Sequence, residues 1–260
     1  MDSDSRQAQI AFWNDEYHLE YHGHQFASPY RSTVHLGEFV NEVLGSAAKL
    51  PCHALDAGCG AGANIHCLSR VLPNAIWTGV DIVEGLVAPG RRLTAEQGGG
   101  PPLRFLAGDF GRLPEYLPAH SFDVVFSIQT LSWLDNYAEY LPQLFSMVRP
   151  GGTGFITSLF TESLVDAKIQ VTEYGEDGFS HGRAPVFYNV YCLDRFREAC
   201  FKLGAGEILV RDFEIDAAVP RPAHRRMGTF TQTLEDGHRL QFSGPLLMPR
   251  KFVAVRMKGA

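Results

Sequence analysis

The stretch that most constrains the fold is residues 53–72, where an apolar run, a glycine-rich turn and a helical pattern follow one another. The run HALDAG, residues 53–58, predicts a short buried strand, and Ile65, Leu68 and Leu72 recur at helical spacing. A glycine-rich turn between the two is typical of the first strand-to-helix connection in a parallel sheet. This order therefore predicts the first unit of an α/β domain.

The same alternation continues along the chain. Further strands are predicted at AIWTGVD (75–81), LRFLAGD (103–109), FDVVFSIQ (122–129), TGFITSLF (153–160), EILVRDFEID (207–216) and KFVAVRM (251–257). Helices are predicted around GLVAPGRRLTAEQ (85–97), YAEYLPQLFSMV (137–148) and LDRFREACFKLG (193–204). Strands that alternate with helices indicate a mostly parallel sheet that binds its ligands at the carboxyl ends of the strands.

Three segments fall outside this alternation: residues 1–50, residues 160–192 and the stretch TFTQTLEDGHRLQFSGPLLMP at 229–249. In the last of these, Asp236-Gly237 between two alternating runs is a strong hairpin signal. Segments added to a sheet in this way commonly carry substrate-binding residues. We therefore expect all three to build the substrate side of a site.

Composition narrows the class of protein. The 260 residues are 45% hydrophobic and 20% charged, which is typical of a globular protein and argues against disorder throughout. A net charge of −6 without a basic run does not favour nucleic-acid binding. No apolar stretch approaches the roughly 20 residues that a membrane-spanning helix needs. The chain has five cysteines and no CxxC pair, and its N-terminus is acidic and polar. Together these features predict a cytoplasmic protein without disulfides.

The glycines of the turn fit two ligand classes. Gly58, Gly60 and Ala63 match the dinucleotide spacing, whereas Gly58, Gly60 and Gly62 match a repeat at every second position. Asp56 precedes them at the end of the predicted strand. A carboxylate there would repel a pyrophosphate but suits a ligand with an ammonium group, so it favours a zwitterionic cofactor without phosphate.

Acids also end the next two predicted strands. Asp81 is placed to accept the hydroxyls of a ribose, which either cofactor class carries. Asp109 is placed to accept an adenine amino hydrogen, with the aromatic Phe110 against the ring. With the turn VRPGGTGFI at 148–156, this series resembles the class I S-adenosylmethionine-dependent methyltransferases over residues 53–158.

The resemblance implies a Rossmann-like, doubly wound, mostly parallel seven-stranded sheet, with residues 1–50 as an N-terminal helical lid. Residues 51–260 would form the methyltransferase domain, with insertions at 160–192 and 221–250 and a C-terminal hairpin. It also implies that S-adenosyl-L-methionine is the cofactor. The residues that would bind it are Asp56, Gly58, Cys59, Gly60 and Gly62 for the methionine part, Asp81 for the ribose, Ile82, Asp109 and Phe110 for the adenine, and Ser127 and Gln129 near the sulfonium.

Each of these residues also has a plainer interpretation. The glycine loop can be a tight turn, Asp81 and Asp109 can be solvated acids at strand ends, and Gln129 and Trp133 can be core or surface residues. After the fourth predicted strand the chain continues SIQTLSWL, so the Asn-Pro-Pro-Tyr signature of enzymes that methylate amide or exocyclic base nitrogens is missing. DNA adenine and protein glutamine are therefore disfavoured as acceptors.

Histidines cluster in EYHLEYHGHQF, residues 16–26. His18 and His22 would share a helix face at a spacing of four, which also suits metal binding, but no cysteine or well-placed carboxylate completes a ligand set. We predict no metal. Because histidine titrates near neutral pH, His22 or His24 is the candidate general base, and ordinary surface histidines are the alternative.

Together these patterns predict methyl transfer from S-adenosylmethionine to a small molecule, of natural-product or sugar-like character, without nucleic acid or membrane as partner. A protein methyltransferase is an alternative within the class. An NAD(P)-dependent oxidoreductase and a non-catalytic partner protein are alternatives from other classes. The sequence specifies neither the attacking atom nor the oligomeric state.

Overall fold

A computed structural model describes residues 3–14, 24–25, 28–96, 103–174, 186–224 and 227–259. The helices are α1 (Ser3–Trp13), α2 (Arg31–Leu44), α3 (Ala63–Leu68), α4 (Glu84–Glu96), α5 (Tyr137–Phe145) and α6 (Leu193–Lys202). Short 3₁₀ helices occupy Gly45–Lys49, Phe110–Glu115 and Leu131–Trp133. Every helix of the described ranges is too short or too polar to cross a membrane.

The strands fall into one large sheet and two small ones. The large sheet contains β1 (Cys52–Ala57), β2 (Ala75–Asp81), β3 (Leu103–Ala107), β4 (Phe122–Ile128), β5 (Val148–Thr161), β8 (Tyr191–Cys192), β9 (Ala205–Asp212) and β13 (Arg250–Met257). The small sheets contain β6 (Gln170–Val171) with β7 (Val186–Phe187), and β10 (Thr229–Thr233) with β11 (Arg239–Ser243) and β12 (Leu246–Leu247).

The large sheet has the order β3-β2-β1-β4-β5-β13-β9, and β8 pairs with the end of β5. The first five strands of this path are parallel, whereas β13 runs antiparallel to both β5 and β9. The strand order reverses between β1 and β4, which is the topological switch point where α/β sheets bind ligands. The predicted doubly wound, mostly parallel seven-stranded sheet is confirmed, and the short β8 is an addition to it.

Alternating residues of the strands face two hydrophobic clusters, one on each side of the sheet. On β4, Val125 belongs to one cluster, and its neighbours Val124 and Phe126 belong to the other. Phe126 stacks between Trp77 and Phe155, with ring centroids 5.5 and 5.4 Å away. Because both faces are covered, β4 has no polar face, which explains why FDVVFSI contains an almost unbroken apolar run.

Backbone geometry confirms the predicted hairpin. Strands β10 and β11 pair antiparallel on either side of Gly237, whose φ of +88° suits the hairpin signal Asp236-Gly237. Gly204, with φ of +97°, follows α6 as a C-terminal cap. One boundary differs, because β5 begins at Val148 and so includes the proline and glycines that were expected to form a separate turn.

Helix α2 packs into the same core as the sheet, although the sequence assigned it to the region before the domain. Leu36, Phe39 and Val40 are buried in the cluster that contains Trp77 and Phe126. The division at residue 50 into a lid and a domain therefore stays a prediction. Of the preceding segment, the structure describes residues 3–14, 24–25 and 28–30, and α1 within it contacts β7.

Candidate functional site

A cavity of about 530 Å³ opens at the carboxyl ends of β1 to β4. It lies at the switch point of the sheet and has the size of a typical small-molecule site. Residues that follow the four strand ends contribute to its wall: Gly58 to Gly60 after β1, Asp81 to Val83 at β2, Gly108 to Phe110 after β3, and Gln129 and Thr130 after β4. The strand-end residues singled out in the sequence therefore meet at one cavity, with three exceptions described below.

The glycine loop uses its backbone N–H groups within the protein. The N–H groups of Gly58 and Cys59 donate to the carbonyl of Val80 over 2.8 and 3.1 Å, and that of Gly62 donates to Cys59. The N–H of Gly60 donates to Asp81 Oδ2 over 2.8 Å. Loops that cradle a pyrophosphate instead turn several N–H groups towards the ligand. The hydrogen bonding of this loop thus argues against a phosphate cradle.

Asp81 is held rigidly at the edge of the cavity. Its Oδ1 accepts from the N–H of Val83 over 2.9 Å, and its Oδ2 accepts from Gly60. Burial raises the pKa of Asp81, and the backbone N–H groups oppose that shift. Each carboxylate oxygen keeps a second lone pair, so this side chain is able to accept two further hydrogen bonds from a ligand.

Asp109 caps the 3₁₀ helix that begins at Phe110, since its Oδ1 accepts from the N–H of Gly111 over 2.8 Å. Its Oδ2 lies 2.8 Å from Nη2 of Arg6 on α1. Phe110 is buried and stacks on Tyr140 with ring centroids 5.7 Å apart, and both residues line the cavity. The Arg6 contact joins α1 to the cavity wall, and no sequence pattern indicated it.

Asp56, Gly62 and Ser127 are the exceptions, because they lie behind the cavity wall. The Asp56 carboxyl is fully buried, and neither of its oxygens has a hydrogen-bond partner among the described residues. Burial, together with the charge of Asp81, raises the pKa of Asp56 to about 8. A carboxyl that keeps its proton at neutral pH does not repel a pyrophosphate, so the sequence argument from an ionised Asp56 does not hold in this structure.

The other two exceptions also have structural surroundings. Gly62 has a φ of +88°, and a side chain there would run into the ring of Phe105. Ser127 on β4 is fully buried, and its Oγ lacks a hydrogen-bond partner within the part of the chain that the structure describes. Direct contact of either residue with a ligand in this cavity would need the wall to move.

Gln129 has a strained backbone at the end of β4. Its φ is +57°, a region that residues other than glycine rarely adopt, and its N–H donates to the carbonyl of Thr157 over 2.8 Å. Its side chain donates from Nε2 to Ser132 Oγ over 2.8 Å and lines the cavity. Strain of this kind persists where surrounding contacts enforce it and is common at functional sites.

Aromatic side chains from separate segments meet at the far side of the cavity. Trp133 has ring centroids 4.8 Å from Trp13 and 4.6 Å from Tyr188, in edge-to-face geometry, and 5.9 Å from Phe12. Trp13 and Phe12 come from α1 and line the cavity together with Trp133 and Tyr188. We call these four side chains the aromatic wall.

The histidines singled out in the sequence are described only in part. His24 is exposed and does not line the cavity, because Gln25 beside it takes the inward position and is buried. His18 and His22 lie outside the described residues. His224 lines the cavity, and its ring packs on Gly228. Within the described ranges, no group of three or more His, Cys, Asp or Glu side chains is arranged to hold a metal.

The part of the chain that contains the strands around the cavity is similar to known proteins. A family model described as a methyltransferase domain matches residues 54–152. Residues 54–152 thus carry a methyltransferase domain. The matched range runs from β1 into β5 and contains Asp81, Asp109 and Gln129, and the resemblance inferred from the sequence is confirmed.

Relatives of the methyltransferase domain share limited identity with it. Trans-aconitate 2-methyltransferase of Deinococcus radiodurans is 28% identical over 142 residues, which are 51% of this chain and 51% of that protein. The enzyme of the same name from Streptomyces avermitilis is 30% identical over 103 residues, 40% of this chain and 37% of that protein. The chain thus spans about half or less of the length of these relatives.

Solved structures share the fold of the methyltransferase domain. The 1,6-didemethyltoxoflavin-N1-methyltransferase of Burkholderia thailandensis, solved with 1,6-didemethyltoxoflavin and S-adenosylhomocysteine, has a TM-score of 0.59 at 16% identity. The match covers 99% of this chain and 92% of that one. A putative methyltransferase in complex with the Trm112 activator of Haloferax volcanii gives a TM-score of 0.58 at 15% identity, with 96% and 97% coverage. At these identities the similarity concerns the fold alone.

Proposed function

We propose that this protein binds S-adenosyl-L-methionine at the strand ends and transfers its methyl group to a small-molecule acceptor enclosed by the aromatic wall. The single observation that carries the proposal is the placement of Asp81, Asp109 and Gln129 around one cavity, at successive strand ends of a methyltransferase domain. A natural-product or sugar-like acceptor remains part of this proposal, as does a cytoplasmic location.

The donor set of the cavity fits the proposed cofactor. Asp81 offers acceptor lone pairs to two ribose hydroxyls, and Asp109 with Phe110 offers a carboxylate and an apolar face to an adenine. When bound, S-adenosylmethionine supplies a sulfonium methyl that is already electrophilic. The protein's own task is then to orient the acceptor in line and to exclude water, and positioning of this kind contributes up to roughly 7 to 11 kcal/mol.

A nicotinamide dinucleotide fits the same cavity less well. Its pyrophosphate would need N–H donors from the glycine loop, whereas the groups of Gly58, Cys59 and Gly60 already donate to Val80 and Asp81. This hydrogen bonding supports the proposal without relying on the charge of Asp56. An oxidoreductase is therefore the weaker of the two enzyme hypotheses.

His224 replaces His24 as the candidate general base of the proposed reaction. His224 lines the cavity, whereas the side chain of His24 is exposed. A base is needed only when the acceptor carries a proton that must leave, and it then contributes about 10²- to 10⁴-fold in rate. Gln129, held by Ser132, is the candidate for orienting the acceptor.

Calorimetric titration with S-adenosylhomocysteine, beside NADH, tests the cofactor. We expect saturable binding of S-adenosylhomocysteine and none of NADH. Asp81→Asn should weaken the first by at least about tenfold, because hydrogen bonds to a charged group contribute about 1.5 to 3 kcal/mol each. Asp194→Asn, an exposed aspartate on α6, is the matched control and should leave affinity unchanged. NADH binding, or equal affinity of wild type and Asp81→Asn, would contradict the proposal.

A further inference from the structure

The hairpin of β10 and β11 turns a polar face towards the cavity. The strand register places Thr229 opposite Ser243 and Thr231 opposite Gln241. Residues that lie opposite each other, or two positions apart on one strand, share a face of a sheet, so these four side chains lie on the same side. Thr229, Gln241 and Ser243 line the cavity. The hairpin therefore contributes uncharged hydrogen-bonding groups to the cavity wall.

The opposite face of the same hairpin carries an aromatic pair. Phe230 and Phe242 lie directly opposite each other, and their rings stack with centroids 5.3 Å apart. Both residues lie outside the cavity lining. A small antiparallel sheet ordinarily buries its apolar face and leaves its polar face to water. The reversed arrangement indicates that the polar face serves a ligand and not a hydrophobic core.

Gln241 has a hydrogen-bond acceptor that the protein leaves unused. Its Oε1 is buried and has no hydrogen-bond partner within the described ranges. Its backbone is held in place, since the carbonyl of Gln241 accepts from the N–H of Met248 over 2.9 Å. A buried amide oxygen without a partner is destabilising, because it has lost the hydrogen bonds that water would provide. A ligand that donates a hydrogen bond to this oxygen would remove that cost.

Gln129 is in the same situation at the end of β4. Its Nε2 donates to Ser132 Oγ over 2.8 Å, whereas its Oε1 is buried and without a partner among the described residues. The Oε1 atoms of Gln129 and Gln241 accept hydrogen bonds and cannot donate them. A ligand that satisfies both must therefore supply the donors, as O–H or N–H groups.

The aromatic wall connects the two glutamines. Trp133 belongs to the 3₁₀ helix that follows Gln129, and its ring centroid lies 4.6 Å from that of Tyr188. The Tyr188 hydroxyl donates to Sδ of Met248 over 3.1 Å, and the N–H of Met248 donates to the Gln241 carbonyl. Aromatic rings bind flat groups through stacked or edge-to-face contacts. A flat ligand on this wall would have a glutamine at each end of the chain of contacts.

We propose that Gln129 and Gln241 accept hydrogen bonds from the methyl acceptor, and that the acceptors are flat molecules with at least two O–H or N–H groups. The role of acceptor rests on the proposed function, whereas the two hydrogen-bonding positions do not require a bound cofactor. Gln241 is thereby a specificity-determining residue supplied by the C-terminal hairpin. Binding at these positions involves no covalent step.

Three naphthalenes of the same shape test the two positions. They carry two hydroxyl, two amino or two methoxy groups at the same positions, one on each ring, so the methoxy compound alone lacks donors. Each is titrated into the full chain, with and without S-adenosylhomocysteine, and followed by ligand-observed NMR. In the wild type we expect the diol or the diamine to bind at least about tenfold more tightly than the dimethoxy compound, equivalent to about 1.4 kcal/mol. The tighter of the two identifies O–H or N–H as the preferred donor.

Gln241→Met removes the amide at nearly constant length and should reduce this preference to about threefold or less. Gln232→Met is the matched control, because Gln232 lies on the same hairpin, exposed and outside the cavity lining. Its preference should equal that of the wild type.

A wild type that binds none of the three compounds, or binds all three equally, overturns the inference. A preference that survives in Gln241→Met overturns it as well. If Gln241→Met does not fold, Gln241→Asn takes its place, since it draws the amide back by one methylene, and an unchanged preference there has the same meaning. Failure of S-adenosylhomocysteine to bind would instead refute the proposed function.

Discussion

Replacing Gly58 by alanine should destabilise the protein through two separable effects. Gly58 has φ of +85°, and a Cβ built on it would lie 2.7 Å from Thr130 Cγ2 and still closer to Oγ1. A left-handed conformation costs an L-residue about 1 to 2 kcal/mol, and the restricted unfolded chain offsets about 0.4 to 1 kcal/mol of this. Overpacking against Thr130 adds about 1 to 3 kcal/mol.

Gly237→Ala isolates the backbone effect, because Gly237 has φ of +88° with open space where the Cβ would lie. We expect the free energy of unfolding to fall by about 1 kcal/mol or less in Gly237→Ala, and by about 2 to 4 kcal/mol in Gly58→Ala. Urea unfolding followed by circular dichroism measures both. Equal losses in the two variants would refute the close approach of the loop to Thr130.

Thr130→Ala combined with Gly58→Ala provides a further check. The double variant should lose at least about 1 kcal/mol less free energy of unfolding than the sum of the two single-variant losses, since residues in contact couple by about 0.5 to 3 kcal/mol. Additive losses would mean that the two side chains do not meet. The same cycle in titrations with S-adenosylhomocysteine reports whether the loop geometry matters for binding.

Two other predictions concern charged groups. Burial raises the pKa of Asp56 from 3.8 to about 8, so the folded protein keeps a proton that the unfolded chain releases, and stability should fall as pH rises across that window. The free energy of unfolding of Asp56→Asn, relative to that of the wild type, should therefore rise by up to about 1.4 kcal/mol per pH unit across the window. Urea unfolding measures this difference, and a difference that does not change with pH would exclude the raised pKa. Arg6→Gln should change S-adenosylhomocysteine affinity by less than about fivefold, because an ion pair whose arginine is partly exposed contributes about 1 kcal/mol or less. Asp109→Asn should weaken it more, and the reverse ranking in calorimetry would remove Asp109 from the site.

The parts of the fold that the sequence predicted are those governed by local patterns. Strands β1 to β5, β9 and β13 were recognisable from apolar runs between turn residues, and their alternation with helices predicted a mostly parallel sheet. Because such strands end at one edge, Asp81, Asp109 and Gln129 could be assigned to one site before any coordinates were known. Their contacts with a cofactor stay predictions.

The rest of the site depends on how distant segments pack. Arg6 and the aromatic wall reach the cavity through the placement of α1, and Gln241 reaches it through the placement of the hairpin. His224 had only a weak sequence signal, because it is a single histidine in the short stretch RPAHRRM at 221–227. Periodicity carries no information on such long-range contacts.

Full burial is the reason why Asp56 cannot be treated as an ionised acid that repels a pyrophosphate. The proposal of S-adenosylmethionine as the cofactor is kept, because it does not depend on the charge of Asp56. A carboxylate at the end of an internal strand was treated as charged, whereas full burial favours its neutral form. The positive φ of Gln129 was equally invisible, since glutamine gives no sign of a left-handed backbone. Both features arise from the packing around β1 and β4.

A crystal structure of the protein with S-adenosylhomocysteine tests the central claim most directly. We expect the ribose hydroxyls within hydrogen-bond distance of Asp81, the adenine against Phe110 and the sulfur facing the space between Gln129 and Trp133. A nucleoside bound elsewhere, or a sulfur directed away from the aromatic wall, would contradict it.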